Sequence, residues 1–208
     1  EGQGLIRRKQ GLGTFVVGRT QIIESGLEVL ESIETLAQRI QLEVAMGALH
    51  VEHIPATAEM AAELQVEAGD RLVNISRVII ADHRPVAYLI DTLPENTLSP
   101  EELESGFTGS VLDLLLRKGE YQLTSSRTEI RAIAAPTEIS RALEIQRGDV
   151  MLQFIAYLYT ASGQVIDYSL SYFLPGYFRF HVVRNIGPVL APAWSLPETE
   201  RNRQAENV

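Results

Sequence analysis

The first residues that could do chemistry are three cations, Arg7, Arg8 and Lys9, beside a turn that contains Gly11 and Gly13. Short apolar runs flank this turn, which predicts a β-hairpin. Glycine permits positive φ and a close backbone approach to a partner, and the neighbouring cations suit a polyanion. An ordinary surface hairpin with solvated cations would show the same pattern, so the residue types alone leave both interpretations open.

Three polar residues farther along the chain could hold a small ligand. Arg77 stands in a predominantly apolar run, residues 72–81, where an unpaired guanidinium would be costly to bury. Ser110 precedes a predicted helix, whose free N–H groups and cap hydroxyl could bind an anion. Asp167 follows apolar residues in a predicted strand and could accept hydrogen bonds from a ligand. Together they suit a molecule with one anionic end and one hydrogen-donating end.

Each of these positions also has a structural interpretation. Arg77 could face solvent or pair with a structural carboxylate, and Ser110 could be an N-cap without a ligand. Ser169 and Tyr172 are further candidates on the same segment as Asp167. Strand alternation puts Asp167 and Ser169 on one face and Tyr172 on the other, and for the tyrosine we expect core packing, with the hydroxyl near the surface, ahead of ligand binding.

Charge separates the start of the chain from the rest. The formal net charge is −9, yet residues 1–20 contain four cations and one acid. An acidic body repels a phosphate backbone, so any nucleic-acid contact belongs to the N-terminal piece. The absence of cysteine excludes disulfides and thiolate metal sites from this sequence. No apolar run approaches the length that crosses a bilayer, and we expect a soluble, cytoplasmic protein with one main domain.

The body contains an internal repeat. Residues 56–91 align without gaps on residues 135–170, and both copies contain the spacing Leu-x-x-x-x-Gly-Asp. Each copy predicts a short helix with apolar residues four apart, a Gly-Asp turn, and a β-hairpin in which, for example, Val86 corresponds to Val165. We expect the two hairpins to share one antiparallel sheet.

Other elements have recognisable start and stop signals. Ser25 with Glu28 has capping-box spacing and predicts a helix that runs to Ile40. Ser99-Pro100 and Ser110 predict two further helix starts, and Gly119 is placed to end the second helix. Strands are expected near residues 42–54 and 121–134. The proline-containing stretch 186–208 predicts a disordered tail, which leaves residues 1–19 as the hairpin piece and 20–185 as the main domain.

The hairpin sequence GLIRRKQGLGTFV resembles the wing of the winged helix-turn-helix domain in GntR-family transcription regulators. The body resembles the UTRA effector-binding domain of the HutC branch of that family, through SRVIIADHRPVAY, GSVLDLLL, the repeated Leu-x-x-x-x-Gly-Asp and VIDYSLSYFLPGYFRFHV. The resemblance implies a chorismate-lyase-like α+β fold: an antiparallel sheet with helices on one side and a ligand cavity inside.

The resemblance also implies a function. An effector with a phosphate or carboxylate, such as a phosphorylated sugar, would bind the cavity of a homodimer and modulate operator DNA binding, most simply as a repressor, with no cofactor and no membrane contact. Arg77 matches the first arginine of the Arg-x-Arg strand motif of the family, whereas Ile79 replaces the second. Ser110 and Asp167 match ligand-contacting positions, and Phe173 stands where some relatives have a tyrosine. Because the sequence starts almost at the wing, we expect these residues alone to bind operator DNA weakly.

Two other functions remain open. The same fold type occurs in a lyase, so Arg77 with Glu129 or Asp167 could bind and protonate a carboxylate substrate. A purely structural dimerisation module would need no cavity. His50 and His53 could suggest a metal, but their spacing in a predicted strand puts them on opposite faces. Substrate turnover, saturable ligand binding, or neither would separate the three possibilities.

Overall fold

The computed structural model describes residues 22–105 and 107–184, together with the backbone of residues 6–9 and 13–16. The strands of these ranges are β1 (Ile6–Lys9), β2 (Gly13–Val16), β3 (Ile23–Gly26), β4 (Val44–Pro55), β5 (Arg71–Ala81), β6 (Arg84–Pro94), β7 (Leu123–Ala134), β8 (Val150–Thr160), β9 (Val165–Phe173) and β10 (Phe178–His181). The α-helices are α1 (Ile33–Arg39), α2 (Ala58–Leu64), α3 (Pro100–Ser105), α4 (Val111–Lys118) and α5 (Thr137–Ala142), and a 3-10 turn spans Glu95–Thr97.

The N-terminal hairpin predicted from the glycine turn is confirmed, since β1 pairs antiparallel with β2. The side chains of Arg7, Arg8 and Lys9, and Gly11 itself, lie outside the described part of the structure. The predicted tail, residues 186–208, lies outside it as well.

A six-stranded antiparallel sheet in the order β4-β5-β6-β9-β8-β7 forms the centre of the domain. The two repeated hairpins, β5-β6 and β8-β9, join through the β6-β9 pair, so they share one sheet as the repeat predicts. The repeat also extends upstream, because β4 and β7 flank their hairpins in the same way. The sheet is therefore two copies of one strand-helix-hairpin unit joined side by side.

The Gly-Asp turns form alike in both copies. Gly69 and Gly148 have φ of +92° and +88°, a conformation in which an L side chain would be strained. The following aspartates close the turns, with Asp70 accepting the Glu67 N–H at 2.9 Å and Asp149 accepting the Gln146 N–H at 3.1 Å. These local hydrogen bonds explain why the Leu-x-x-x-x-Gly-Asp spacing can be recognised in the sequence.

The two hairpins differ by one residue at their tips. The first closes through Asp82 and His83, both with positive φ, whereas the second takes a longer turn through Gly163. Val86 has no residue opposite it in the β5-β6 pair, and Ile166 has none in the β8-β9 pair, so these two residues are equivalent in the two copies. The gapless alignment equates Val86 with Val165 instead, and it is therefore wrong by one residue along β9. A one-residue slip reverses the face of every side chain, so this shift decides where Asp167 points.

The helix expected at Ser25 begins instead at Ile33. Ser32 is its N-cap and accepts the Thr35 N–H at 3.0 Å. Residues around Ser25 form β3, which pairs in parallel with the distant strand β10. That pairing buries Ile23 and Ser25, so a long-range contact outweighs a local capping pattern.

The other predicted helix starts are confirmed. Ser99 and Glu102 exchange the two hydrogen bonds of a capping box at the start of α3. Ser110 caps α4, and Gly119 ends it in the left-handed conformation, with φ of +67°. None of the described helices is long and apolar enough to cross a membrane.

The α+β class and the antiparallel sheet are confirmed, but the helices pack against both faces of the sheet rather than one. Helix α4 packs on Val73 and Ile75, which share a face with Arg77, and α1 joins β3 and β10 on that side. Helix α5 packs on Val78, on the opposite face, together with α2. Both faces of the central strands are apolar, and each needs a cover.

Candidate ligand-binding site

A cavity of about 570 Å³ lies on the Arg77 face of the sheet. Side chains from β5, β6, β7, β8 and β9 form its floor, and the segment from Ser25 to Leu36, the start of α4 and Phe180 of β10 cover it. The polar residues of its inner part are Arg77, Asp91, Ser110, Asp167, Ser169 and Ser171. Four of the five predicted ligand residues therefore meet at one cavity that is lined by both hairpin repeats.

Arg77 forms an ion pair with Asp91 of the neighbouring strand. The two residues are 4% and 8% exposed, so the pair is buried. The guanidinium carbon lies 5.6 Å from the ring centre of Phe107, a distance at which a cation interacts with the ring face. Its Nε has no hydrogen-bond partner among the described residues. Arg77 thus both lines the cavity and pairs with a carboxylate, one of the two structural alternatives for this residue.

Asp167 is 6% exposed, and its Oδ1 has no hydrogen-bond partner in the described part of the chain. Burial, reinforced by the adjacent Asp91 carboxylate, raises the pKa of Asp167 well above its usual value. The positive charge of Arg77 opposes this shift without overcoming it. The carboxyl group therefore lies in the cavity without a counter-charge of its own.

Ser110 connects the cavity to two helix starts. It is 3% exposed, and its hydroxyl accepts the Asp113 N–H at 3.0 Å. The Asp113 carboxylate in turn accepts a hydrogen bond of 2.6 Å from the hydroxyl of Ser32, the N-cap of α1. Because Ser32 and Ser110 both line the cavity, this chain of bonds fixes the N-termini of α1 and α4 beside it.

Ser169 lies directly across from Asp91 in the β6-β9 ladder and lines the cavity. Tyr172 does not. It points to the opposite face, packs in the cluster that contains Val78, and its hydroxyl accepts a hydrogen bond of 3.2 Å from Gln153. Burial there raises the pKa of the Tyr172 hydroxyl. We therefore remove Tyr172 from the candidate ligand residues, since strand alternation turns it away from the cavity.

Two carboxylates of the site were missed in the sequence. Asp91 alternates with the buried residues Leu89 and Leu93 along β6, a signal that could have placed it on the inner face. Glu34 has no such signal, because a helix that starts at Ser25 would place it in the middle of the helix rather than in the first turn. Burial raises the pKa of Glu34. Its Oε1 lies close to Gly109, where an added Cβ would come within 2.7 Å of that oxygen.

The two histidines that might have suggested a metal do not meet. His50 Nε2 lies 3.7 Å from Glu52 Oε2, and His53 Nδ1 lies 2.8 Å from Glu95 Oε1, so the two histidines contact different carboxylates. A second depression of about 890 Å³, more open to solvent, lies between α1, the start of β4 and the turn at Asp82. It contains none of the predicted ligand residues.

Residues 41–179 match the family model of the UTRA domain, a range that includes the whole six-stranded sheet. The chain belongs to the UTRA family. The matched range contains Arg77, Asp91, Ser110 and Asp167, so the inner part of the cavity lies within this UTRA domain.

The relatives of this UTRA domain are transcription regulators. The chain is 23% identical over 181 residues to the mannosyl-D-glycerate transport/metabolism system repressor MngR of Escherichia coli, covering 87% of this chain and 74% of that protein. PhnF from Mycobacterium smegmatis has a similar solved structure, with a TM-score of 0.73 at 18% identity over 89% of this chain and 80% of that one. A GntR-family transcriptional regulator from Bacillus cereus gives a TM-score of 0.59 at 19% identity, over 69% and 99% of the two chains. The resemblance to GntR-family regulators with UTRA domains is confirmed.

Proposed function

We propose that this UTRA domain binds a small effector in the 570 Å³ cavity and thereby modulates operator binding, as part of a transcriptional repressor. The observation that carries the proposal is a cavity whose inner wall holds the buried Arg77-Asp91 pair and the Asp167 Oδ1, which has no hydrogen-bond partner among the described residues. Kinship with transcription regulators, one of them named a repressor, supports the regulatory role. Effector binding would change the operator affinity of the attached DNA-binding domain through allosteric coupling.

In this proposal residues 1–19 contribute the wing, and residues 20–185 form the effector-binding and dimerisation domain. Operators of such regulators are read by symmetric pairs, which favours a homodimer. The sheet leaves both edge strands, β4 and β7, largely exposed, and the apolar side chains of Ile130 and Val150 are 42% and 66% exposed nearby. We expect a dimer by light scattering at micromolar concentration, and a monomer would argue against this part of the proposal.

The family resemblance favours an anionic effector. Arg77 and the N-terminus of α4 are the features that support this, because a guanidinium and free backbone N–H groups attract an anion. Asp91 already pairs with Arg77, so an anion would have to share or displace that carboxylate. The geometry supports an effector site more strongly than it supports an anionic effector.

The test has two steps. A thermal-shift screen of phosphorylated sugars, amino-acid catabolites, amines and small carboxylates should identify a ligand, since binding to the folded state raises the melting temperature. Operator affinity is then measured with and without that ligand, in a protein that joins this chain to a complete winged helix-turn-helix domain. Release of DNA on ligand binding is the expected result. Unchanged operator affinity would contradict the proposal, and conversion of the ligand to a product would favour the lyase-like alternative.

A further inference from the structure

Carboxylates outnumber cations around the cavity. Its charged lining residues are Glu28, Glu31, Glu34, Arg77, Asp91 and Asp167. Glu31 pairs with Arg39, and Glu28 accepts a hydrogen bond from the Val183 N–H, so both are satisfied by groups outside the cavity. Among the described residues, three carboxyl groups then remain around one guanidinium.

These inner carboxyl groups compete for Arg77. Asp91 takes the direct ion pair, and the positive charge of Arg77 favours ionisation of both Glu34 and Asp167 without overcoming the effect of burial on either. Asp167 lies next to Asp91, and its Oδ1 has no donor among the described residues. Asp167 therefore lacks a positive charge of its own and a donor to its Oδ1, whereas the buried Nε of Arg77 is a donor without an acceptor among the described residues.

Three acceptors surround this unsatisfied position. Asp91 and Ser169 face each other across the β6-β9 ladder, and Asp167 lies two residues before Ser169 on the same face. A protonated amine carries three N–H donors and one positive charge, which matches two carboxyl groups and a hydroxyl. A phosphate or carboxylate would instead add a negative charge beside the Asp91 carboxylate and would oppose the ionisation of Asp167 further.

We propose that the effector presents a protonated amine to Asp91, Asp167 and Ser169. This inference rests on the function proposed above and names the chemical class that its cavity takes. The remainder of the ligand lies along the cavity wall formed by Phe154, Phe173 and Phe180, whose ring centres are 4.4 to 5.0 Å apart. An organic ammonium compound with an apolar or hydroxylated body fits both ends of this space.

The experiment compares ligands that share a skeleton and differ in charge. The 208-residue chain is titrated with glucosamine, glucose, glucuronate and glucose 6-phosphate, and with the amine, alcohol and carboxylate of phenethyl and pentyl skeletons. Melting temperature and calorimetry are the readouts. We expect saturable binding by at least one amine, at least tenfold tighter than its alcohol and acid counterparts.

One variant tests where the amine binds. Asp167→Asn keeps the shape of the side chain but cannot ionise against an ammonium group, and should weaken the binding of the amine by about tenfold to a hundredfold, the scale of a hydrogen bond to a charged group. The matched control is Glu129→Gln on β7, whose carboxylate is exposed and outside the cavity, and which should bind like the unchanged chain.

The outcomes separate this inference from the proposed function. Tighter binding of a carboxylate or phosphate than of its amine would overturn the ammonium assignment and leave the effector site intact. An amine that binds equally well to Asp167→Asn would overturn the assignment of its position. Failure of every probe to bind would count against both.

Discussion

Arg77 on β5 and Asp91 on β6 form a buried ion pair in the floor of the cavity. The two residues are diagonal neighbours on one face of the sheet, since Asp91 lies two residues beyond the position directly opposite Arg77. Taking either charge out of water is costly, and the pair is stable because each charge compensates the other. The pair therefore has two consequences: it supports the fold of the site, and it uses the charge that the sequence suggested for an anionic ligand.

Removing one partner of this pair should destabilise the domain. We expect Arg77→Met to lower the free energy of unfolding by about 3 to 5 kcal/mol, because Asp91 would be left buried without a counter-charge. The double variant Arg77→Met with Asp91→Leu should recover most of that loss. Urea denaturation of the two single variants and the double variant gives the coupling energy. Arg131→Gln, which removes an exposed ion pair with Glu129, is the control and should change stability little. Additive effects of the two single changes would show that the pair does not form.

Asp167 should make the stability of the domain fall as pH rises. Its pKa in the folded protein lies well above the usual 3.8, so at intermediate pH the folded state holds a proton that the unfolded chain has released. The stabilisation is present in full below pH 3.8 and is lost as pH rises toward the folded-state pKa. Asp167→Asn removes this dependence and should raise the melting temperature more at pH 8 than at pH 4.

Asp91 and Arg77 also act on this group, so the pH comparison includes Glu129→Gln as a control that removes a carboxylate without touching the cluster. A constant difference in melting temperature between Asp167→Asn and the unchanged chain, at every pH, would show that Asp167 ionises normally.

Local signals in the sequence predicted local structure well. The caps at Ser99 and Ser110 and the Gly-Asp turns depend on contacts within a few residues, and they formed as expected. The helix-hairpin repeat formed as well, with its alignment shifted by one residue along β9. Long-range pairing was the part that could not be predicted. Strand β3 exists because a segment more than 150 residues away pairs with it, and no local pattern around Ser25 reveals that partner.

The candidate site divides in the same way. Arg77, Ser110, Asp167 and Ser169 could be named from their neighbours in the sequence, and the cavity brings them together. The charges around these residues could not be predicted, because they come from Asp91 and Glu34. Cross-strand pairing brings Asp91 to the site, and the true start of α1 brings Glu34 there. The sequence therefore indicates four residues that one cavity brings together, but it does not reveal the two further carboxyl groups beside them.

The Ser32 hydroxyl should stabilise two helices rather than one. It caps α1 and also donates to the Asp113 carboxylate of α4 at 2.6 Å. Thr57 is the matched comparison, since its hydroxyl caps α2 by accepting the Met60 N–H and has no second partner among the described hydrogen bonds. We expect Thr57→Ala to lower the free energy of unfolding by about 1 kcal/mol and Ser32→Ala by about 1.5 kcal/mol more. Equal losses in urea denaturation would mean that the bond to Asp113 contributes nothing.

Filling the cavity without changing its charge should weaken ligand binding. Ala156 on β8 lines the cavity beside Phe154 and Leu158, and a phenylalanine there would occupy part of the 570 Å³ space. Because the added ring enters an existing cavity, the change in stability should stay within about 1 kcal/mol, below the usual effect of overpacking a filled core. Ala132→Phe, at an exposed position of β7 outside the cavity, is the control. Ligand binding, measured by calorimetry, should weaken at least tenfold in Ala156→Phe alone. Undiminished binding in that variant would place the effector elsewhere, with the open depression between α1 and β4 as the next site to test.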